Sequence, residues 1–246
     1  MNGDGTIACA AIIPARYHSS RFPGKPLALL QGKPMVVHVV ERARAAAVFD
    51  CIWVATDDAR IRDAVHAAGG EAYLTRADHA TGTERVAELA ARLPRDALVV
   101  NLQGDEPLVH PDLLRDIVHG LHDDPHCDVV TAAHPSQDET AFASSHVVKV
   151  VVDADGRALY FSRAPIPGGS DACHFLHHIG IYGFRRASLD RFMALPRGEL
   201  ELREGLEQLR ALEHGMRIRV LVTAHRTLGV DTPADLKAVA KVLQAP

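Results

Sequence analysis

Short apolar runs closed by glycine, proline or polar residues alternate along the chain with stretches of helical period, which predicts a parallel-rich α/β sheet. Residues 8–14, 51–56 and 97–102 read as buried strands, and helical stretches follow at 35–47, 59–68 and 111–122. Pro111 and Asp112 suit a first helical turn, and Gly69-Gly70 suits a helix exit. The second half changes character: 128–134, 147–153, 157–161 and 176–184 are four strand candidates. The turn Asp153-Ala154-Asp155-Gly156 predicts a hairpin between the middle two, and hence antiparallel pairing. A helix over 201–214 with the apolar stripe Leu202, Leu206, Leu209 and Leu212, a strand over 217–223, and a helix over 232–243 complete the pattern. Thr232 caps the last helix and Pro233 takes its first position. With no repeat, low-complexity tract or long linker, the expectation is one domain over 1–246. Its fold class is α/β: a three-layer, Rossmann-like, mixed but mostly parallel sheet with helices on both faces, and a small antiparallel excursion at about 128–184.

Composition narrows the partners. With 47% hydrophobic and 24% charged residues among 246, the chain can bury a core and is not disordered. Lys plus Arg number 27 against 31 Asp plus Glu, a net charge of -4, so no bulk field attracts nucleic acid or anionic lipid. Any polyanion must be held by a local cluster. The run 7–15, which Pro14 interrupts, falls short of the roughly 18 apolar residues of a membrane span, so no membrane insertion is expected. No Lys or Arg precedes Arg16, so the basic n-region of a secretory signal is missing and the expected location is cytoplasmic. Cys9, Cys51, Cys127 and Cys173 form no CxxC pair, and the first three sit in apolar surroundings that suit core residues. His119, His122, His126 and Cys127 have spacings zinc could use, but incidental histidines at helix and strand ends explain them as well.

The local cluster lies just after the first strand. No Asp or Glu occurs between Gly5 and Val40, while Arg16, Arg21, Lys25 and Lys33 all fall there. In open α/β sheets such loops line the ligand crevice. Gly24, flanked by Pro23 and Pro26, would stiffen a turn and let backbone N–H groups approach phosphates, which makes a triphosphate cradle. Familiar nucleotide motifs are missing. Residues 15–20 replace GxGxxG, both Gly-Lys pairs precede proline and so form no P-loop, and neither GxSxG nor HExxH occurs.

Acidic residues complete the candidate chemistry. Asp105 follows the apolar run 97–100 and would emerge at the same sheet edge as the basic loop. Asp231 follows the late strand, and is open to two readings, a metal ligand or a helix N-cap in competition with Thr232. Two carboxylates about 5 Å apart repel by roughly 3 kcal/mol at an effective dielectric near 20, so a pair of this kind calls for a cation. Mg²⁺ suits it. Asp57 and Asp58 also end a strand and read mainly as helix-start residues.

The order Ile13-Pro14-Ala15-Arg16-Tyr17-x-Ser19-x-Arg21-x-Pro23-Gly24-Lys25-Pro26-Leu27 resembles the opening of the 3-deoxy-manno-octulosonate cytidylyltransferases, or CMP-Kdo synthetases. The likeness continues through Gly82-Thr83-Glu84-Arg85, Gln103-Gly104-Asp105-Glu106-Pro107, Ser162-Arg163, His178-Ile179-Gly180-Ile181-Tyr182, Leu206-Glu207-Gln208 and Gly229-Val230-Asp231-Thr232-Pro233. It spans nearly the whole chain from about Ile7. What it implies is the reaction of CTP with Kdo to give CMP-Kdo and diphosphate, which supplies lipopolysaccharide inner-core assembly. It implies Mg²⁺ on Asp105 and Asp231, catalysis by Arg16, Lys25, Asp105 and Asp231, and a homodimer. The nucleotide would meet Ala15, Arg16, Arg21, Lys25, Arg76, Gly82, Thr83 and Asp105. The sugar would meet Gln103, Arg163, His178, Tyr182, Glu207 and Gln208.

On pattern alone, Glu207 and Gln208 could instead cover a solvated helix face, and His178 with Tyr182, four apart on one strand face across Gly180, could be a satisfied core pair. Two departures concern the pocket rim: His177 stands where many relatives carry Arg or Lys, and 167–174 looks short. CMP-activation of 8-amino-Kdo or of sialic acid is the alternative within this chemistry, although the Arg-x-Pro-Gly-Lys-Pro order is unusual for sialic acid enzymes. A metal-dependent glycosyltransferase would need a DxD-type pair, which Asp57-Asp58 and Asp105-Glu106 do not supply. A non-catalytic nucleotide-binding module is the third option.

Overall fold

Strand β1 (Cys9–Ala15) is buried at every position, as a strand between two helical layers must be. The computed structural model, which describes residues 8–18, 22–169 and 173–244, supplies both layers. Cys9, Ala11, Ile13 and Ala15 pack toward α1 (Met35–Ala46), α2 (Ala59–Ala67) and α4 (Pro111–Asp123). Ala10 and Ile12 face the other way, toward α3 (Gly82–Ala90), α6 (Arg186–Ala194) and α8 (Gln208–Glu213). This period of two divides one strand between two cores.

Around β1 the sheet grows in both directions. β4 (Cys51–Thr56) and β6 (Leu98–Asn101) pair with it in parallel on opposite sides, and β5 (Glu71–Leu74) lies beyond β4. Past β6 come β10 (Phe175–Arg185), β7 (Val129–Ser136) and β11 (Ile218–Val222), giving the order β11-β7-β10-β6-β1-β4-β5. Because β10 is antiparallel to both β6 and β7, whereas β7 and β11 are parallel, it is the one reversed strand in that order. The sheet is therefore mixed and mostly parallel. β8 (Lys149–Val152) pairs with β10, and β9 (Ala158–Ser162) pairs with β8, so the antiparallel excursion falls where the sequence placed it. The Asp153–Gly156 turn joins β8 to β9: the Asp153 carboxylate accepts from the Asp155 and Arg157 amides, and Gly156 adopts φ +78°. Smaller elements are β2 (Leu29–Leu30), β3 (Lys33–Pro34), α5 (Glu139–Ala143), α7 (Glu199–Glu204) and α9 (Pro233–Gln244).

Two features depart from the sequence reading. The 201–214 segment is not one helix, because Gly205 takes a left-handed conformation at φ +63° and separates α7 from α8. The leucine stripe breaks at its first position only: Leu202 is 61% exposed, while Glu201 turns inward and pairs with buried Arg210 at 2.7 Å, and Leu206 and Leu209 stay in the core. The second is a bulge. Between Ile179 and Gly183, β10 slips against β7, so that three residues face Thr131, whose hydroxyl lies within reach of the Ile179 and Ile181 carbonyls.

The chain leaves β1 toward β4 on one side, and β6 lies on the other. This is a topological switch point, where the loops after β1 and β6 separate and open a crevice.

Candidate active site

Lys25 reaches the crevice because of the turn that carries it. Gly24 adopts φ +71°, its amide donates to the Tyr17 carbonyl at 2.9 Å, and a single 3₁₀ turn, Lys25–Leu27, follows. From there the Lys25 ammonium donates to Asp105 Oδ2 at 2.7 Å, to the Val230 carbonyl at 2.8 Å and to Asp231 Oδ1 at 3.4 Å. Asp105 is brought in by the loop after β6, which presses against β1: a Cβ on Gly104 would lie 2.7 Å from the Pro14 carbonyl oxygen. Asp231 is tied to the same loop by the Val230 amide, which donates to the Asp105 carbonyl at 2.9 Å. Thr232, not Asp231, caps α9: its hydroxyl accepts from the Asp235 amide, and the Asp235 carboxylate accepts from the Thr232 amide. The N-cap reading of Asp231 is thereby set aside.

Arg16, Lys25, Asp105 and Asp231 line one cleft of about 450 Å³ together with Ala15, His18, Gly82, Gln103 and Gly104. Glu106 follows Asp105 in the same loop and feels the charge of both carboxylates. Burial, with Asp105 beside it, pushes the Glu106 carboxyl up to about 8, so it carries its proton at neutral pH.

A second, smaller cavity of about 120 Å³ shares Gly82 and Gln103 with this cleft and is lined also by Thr83, Tyr182, Glu207 and Gln208. Its polar wall is a directed hydrogen-bond chain. Gln103 Nε2 donates to Asn101 Oδ1 (3.0 Å), Asn101 Nδ2 to Thr83 Oγ1 (3.2 Å), and Thr83 Oγ1 to Glu207 Oε2 (2.6 Å). Thr81 donates to the other Glu207 oxygen at 3.1 Å. Glu207 is thus no solvated-face residue, and burial raises its carboxyl above the usual range despite these donors. Gln208 is 7% exposed, and its buried Nε2 has no protein acceptor among the described residues.

Tyr182 and His178 share a face, their rings 5.5 Å apart, and a Cβ on Gly180 would meet nothing within 4 Å. Their roles diverge, however. Tyr182 lines the small cavity, whereas His178 lines neither and is a buried, satisfied ring. His178 Nε2 hydrogen-bonds the Thr131 hydroxyl at 2.9 Å, and that hydroxyl also reaches the Ile181 carbonyl at 2.8 Å. Burial, then neighbouring His177, brings the His178 pKa down to about 3 and keeps it neutral.

Three expected cations lie elsewhere. Lys33 pairs with Glu41 at 2.6 Å in the β2–β3 hairpin region. The Arg76 guanidinium pairs with exposed Asp78 and lines neither cavity. Arg163 also lines neither: its guanidinium donates to the Glu204, Ser145 and Gly205 carbonyls, which exposed turns leave without helical donors. Arg21 lies outside the described residues.

The sequence reading missed His18 and Gly104 in the cleft, and a buried support behind it. Asp58 does cap α2, accepting from the Arg60 amide at 2.9 Å. Asp57 instead pairs with fully buried Arg85 at 3.1 Å and accepts from the Tyr17 amide at 3.4 Å, while Arg85 also bonds Thr75 and the Arg76 carbonyl. The signal was available in Arg85 itself, a cation on the same helical face as Leu89, where a solvated arginine does not belong. Away from the cleft, His110 and His225 stack with ring centroids 3.9 Å apart, which fastens the loop before Asp231 to the start of α4.

Comparison with known proteins gives this geometry a context. Residues 10–218 match the family model described as Cytidylyltransferase. A 3-deoxy-manno-octulosonate cytidylyltransferase of Syntrophobacter fumaroxidans is 55% identical over 238 residues, covering 94% of this chain and 95% of that protein. One from Anaeromyxobacter sp. (strain Fw109-5) is 52% identical, covering 96% and 97%. Among solved structures, a CMP:2-keto-3-deoxy-manno-octonic acid synthetase complexed with CTP superposes with a TM-score of 0.91 at 44% identity, over 96% of this chain and 98% of that one. A 4-diphosphocytidyl-2C-methyl-D-erythritol synthase from Anaerococcus prevotii, at 15% identity and a TM-score of 0.64, shares the fold. The chain belongs to the 3-deoxy-manno-octulosonate cytidylyltransferase family of nucleotidyltransferases.

Proposed function

We propose that this protein is a CTP:Kdo cytidylyltransferase whose nucleotide phosphates lie in the larger cleft and whose sugar lies against the smaller cavity. The observation that carries the assignment is the convergence of Lys25, Asp105 and Asp231 at one end of a cleft that opens, past Gln103, onto Tyr182, Glu207 and Gln208. A cation already sits between the two carboxylates, and its three acceptors are all oxygens: two carboxylates and one carbonyl. That donor set suits a hard divalent ion, so Asp105 and Asp231 would hold Mg²⁺. When bound, the ion would supply charge stabilisation at the phosphoryl oxygens and lower the pKa of a coordinated hydroxyl.

The chain's own residues do the rest. Arg16, exposed at the cleft rim, and Lys25 neutralise the triphosphate, while Gly82, the first residue of α3, lines the same cleft. Gln103, Glu207 and Gln208 offer donors and acceptors that reject a sugar lacking matching hydroxyls. The anomeric oxygen of Kdo forms the new bond to the α-phosphorus as the bond to the β-phosphoryl oxygen breaks, diphosphate departs, and the hydroxyl proton is released to solvent. No covalent enzyme intermediate is needed, and positioning with electrostatics carries the rate. The product serves lipopolysaccharide inner-core assembly.

We place the enzyme in the cytoplasm; among the described residues no helix is long and apolar enough to cross a membrane. The whole chain acts as one domain and pairs as a homodimer through the excursion, whose outer strand β9 leaves Leu159 60% exposed. Diphosphate release from CTP, measured with Kdo, with sialic acid and without sugar, tests the assignment. Release with Kdo is expected; release only with sialic acid, or none with either, refutes it.

A further inference from the structure

Resting on that reading of the cleft, we propose that Lys25 is the resident cation of the acidic site in the free enzyme. Its ammonium holds Asp105 and Asp231 together, excludes a divalent ion while the cleft is empty, and moves onto the phosphates when a triphosphate enters.

An ammonium has three N–H donors, and each has an oxygen acceptor here: Asp105 Oδ2, the Val230 carbonyl and Asp231 Oδ1. No donor is left for a phosphate. Lys25 therefore serves the nucleotide only by leaving this position. A divalent ion held by Asp105 and Asp231 would also have to share these two carboxylates with the ammonium. Mg²⁺ bonds oxygen at about 2.0–2.1 Å, so with Lys25 still 2.7 Å from Oδ2 the two cations would repel across a few ångströms.

A triphosphate removes the conflict, because it brings several negative charges into the cleft that Arg16 and Lys25 both line. The lysine stem is long enough to turn without its backbone following. The Gly24 turn that anchors it is closed by its own hydrogen bonds, Gly24 to Tyr17 and Leu27 to Gly24. The consequence is an order of events: the metal enters with, or after, the nucleotide. A site built only to bind metal would not fill its centre with a side-chain cation.

The test uses the full-length enzyme without nucleotide. Mn²⁺ binding is followed by the electron paramagnetic resonance signal of the free ion in wild type, Lys25→Met, Lys25→Gln and Asp105→Asn. Each variant is first shown by circular dichroism to be folded. Removing the ammonium charge should tighten Mn²⁺ binding about tenfold or more, in both Lys25 variants. Equal or weaker binding by both would overturn the proposal.

Melting temperature provides a second measurement, free of catalysis. Without metal, Lys25→Met should melt below wild type, since its carboxylates then repel, and millimolar Mg²⁺ should restore it while moving wild type much less. An equal Mg²⁺ response in the two proteins would contradict the placeholder role. The Asp105→Asn arm separates this from the underlying assignment. Loss of Mn²⁺ binding there, with no Lys25 effect, sinks only the role of Lys25; full Mn²⁺ affinity there sinks the metal site itself.

Discussion

Replacing Asp57 by alanine isolates the buried support behind the nucleotide loop. Arg85 is 0% exposed, and its hydrogen-bond partners are the Asp57 carboxylate, the Thr75 hydroxyl and the Arg76 carbonyl. Burial pulls the Arg85 guanidinium below its ordinary pKa, and Asp57 is the largest opposing influence. Without Asp57, a guanidinium with only neutral acceptors remains in the core, which costs about 3–5 kcal/mol. The Tyr17 amide also loses its acceptor; at 3.4 Å that bond adds about 0.5 kcal/mol. A loss near 4 kcal/mol is a large share of the about 5–15 kcal/mol that holds a domain folded. Urea unfolding at pH 7 measures it directly. A double variant with Arg85→Leu leaves no buried charge and should recover about 1–2 kcal/mol of the loss. Since Tyr17 follows Arg16, KM for CTP should rise more than kcat falls. A loss below about 1 kcal/mol, as at an exposed ion pair, would refute the account of Arg85 as a buried charge held by one carboxylate.

Other expectations follow from the same geometry. Gly104→Ala places a methyl group 2.7 Å from the Pro14 carbonyl oxygen, so it should cost about 1–3 kcal/mol in urea unfolding and depress turnover by shifting Asp105; wild-type stability would contradict the close approach. Thr83→Val removes the 2.6 Å donor to Glu207 and should raise KM for Kdo well above any change in KM for CTP, whereas an unchanged Kdo KM would detach that chain from the sugar. Burial lowers His178 to about 3 and His177 to about 4, so the folded state disfavours protonating either. Their contribution to stability is complete above about pH 6.5 and lost as pH falls through that value toward the folded ones, at up to about 1.4 kcal/mol per pH unit per histidine. Unfolding at pH 7 and pH 5 should show this slope shrinking in His178→Gln; an unchanged slope would count against it.

How much of this was legible in the sequence depended on how far each signal was local. β1, β4 and β6 lie between two layers, so they appear as unbroken apolar runs, and α1, α2 and α9 sit within a residue or two of their expected bounds. The β8–β9 hairpin was equally local, since Asp153 and Gly156 make the turn themselves. Where long-range contacts decide, pattern misled. Leucine spacing over 202–212 suggested one amphipathic helix, but Gly205 breaks it, and Leu202 is exposed while the Glu201–Arg210 pair is buried beside Leu206 and Leu209. β5, α3 and α6 drew no expectation, β5 because four residues with exposed ends carry little periodicity. Among the cations, Lys25 and Lys33 look alike in sequence, each between glycine and proline, and only the fold sends one to Asp105 and the other to Glu41. Arg163 was expected at the sugar, yet its guanidinium lies on the Glu204, Ser145 and Gly205 carbonyls, partners that no motif reveals.

The central claim is that the oxygens gathered around the Lys25 ammonium form the metal and phosphate end of the nucleotide site. A crystal grown with CTP and Mn²⁺ tests it through the anomalous signal of the metal. The account predicts a peak in contact with both Asp105 and Asp231, with the Lys25 ammonium displaced onto the phosphates. A peak remote from either aspartate, or phosphates bound away from Arg16 and Lys25, would contradict it.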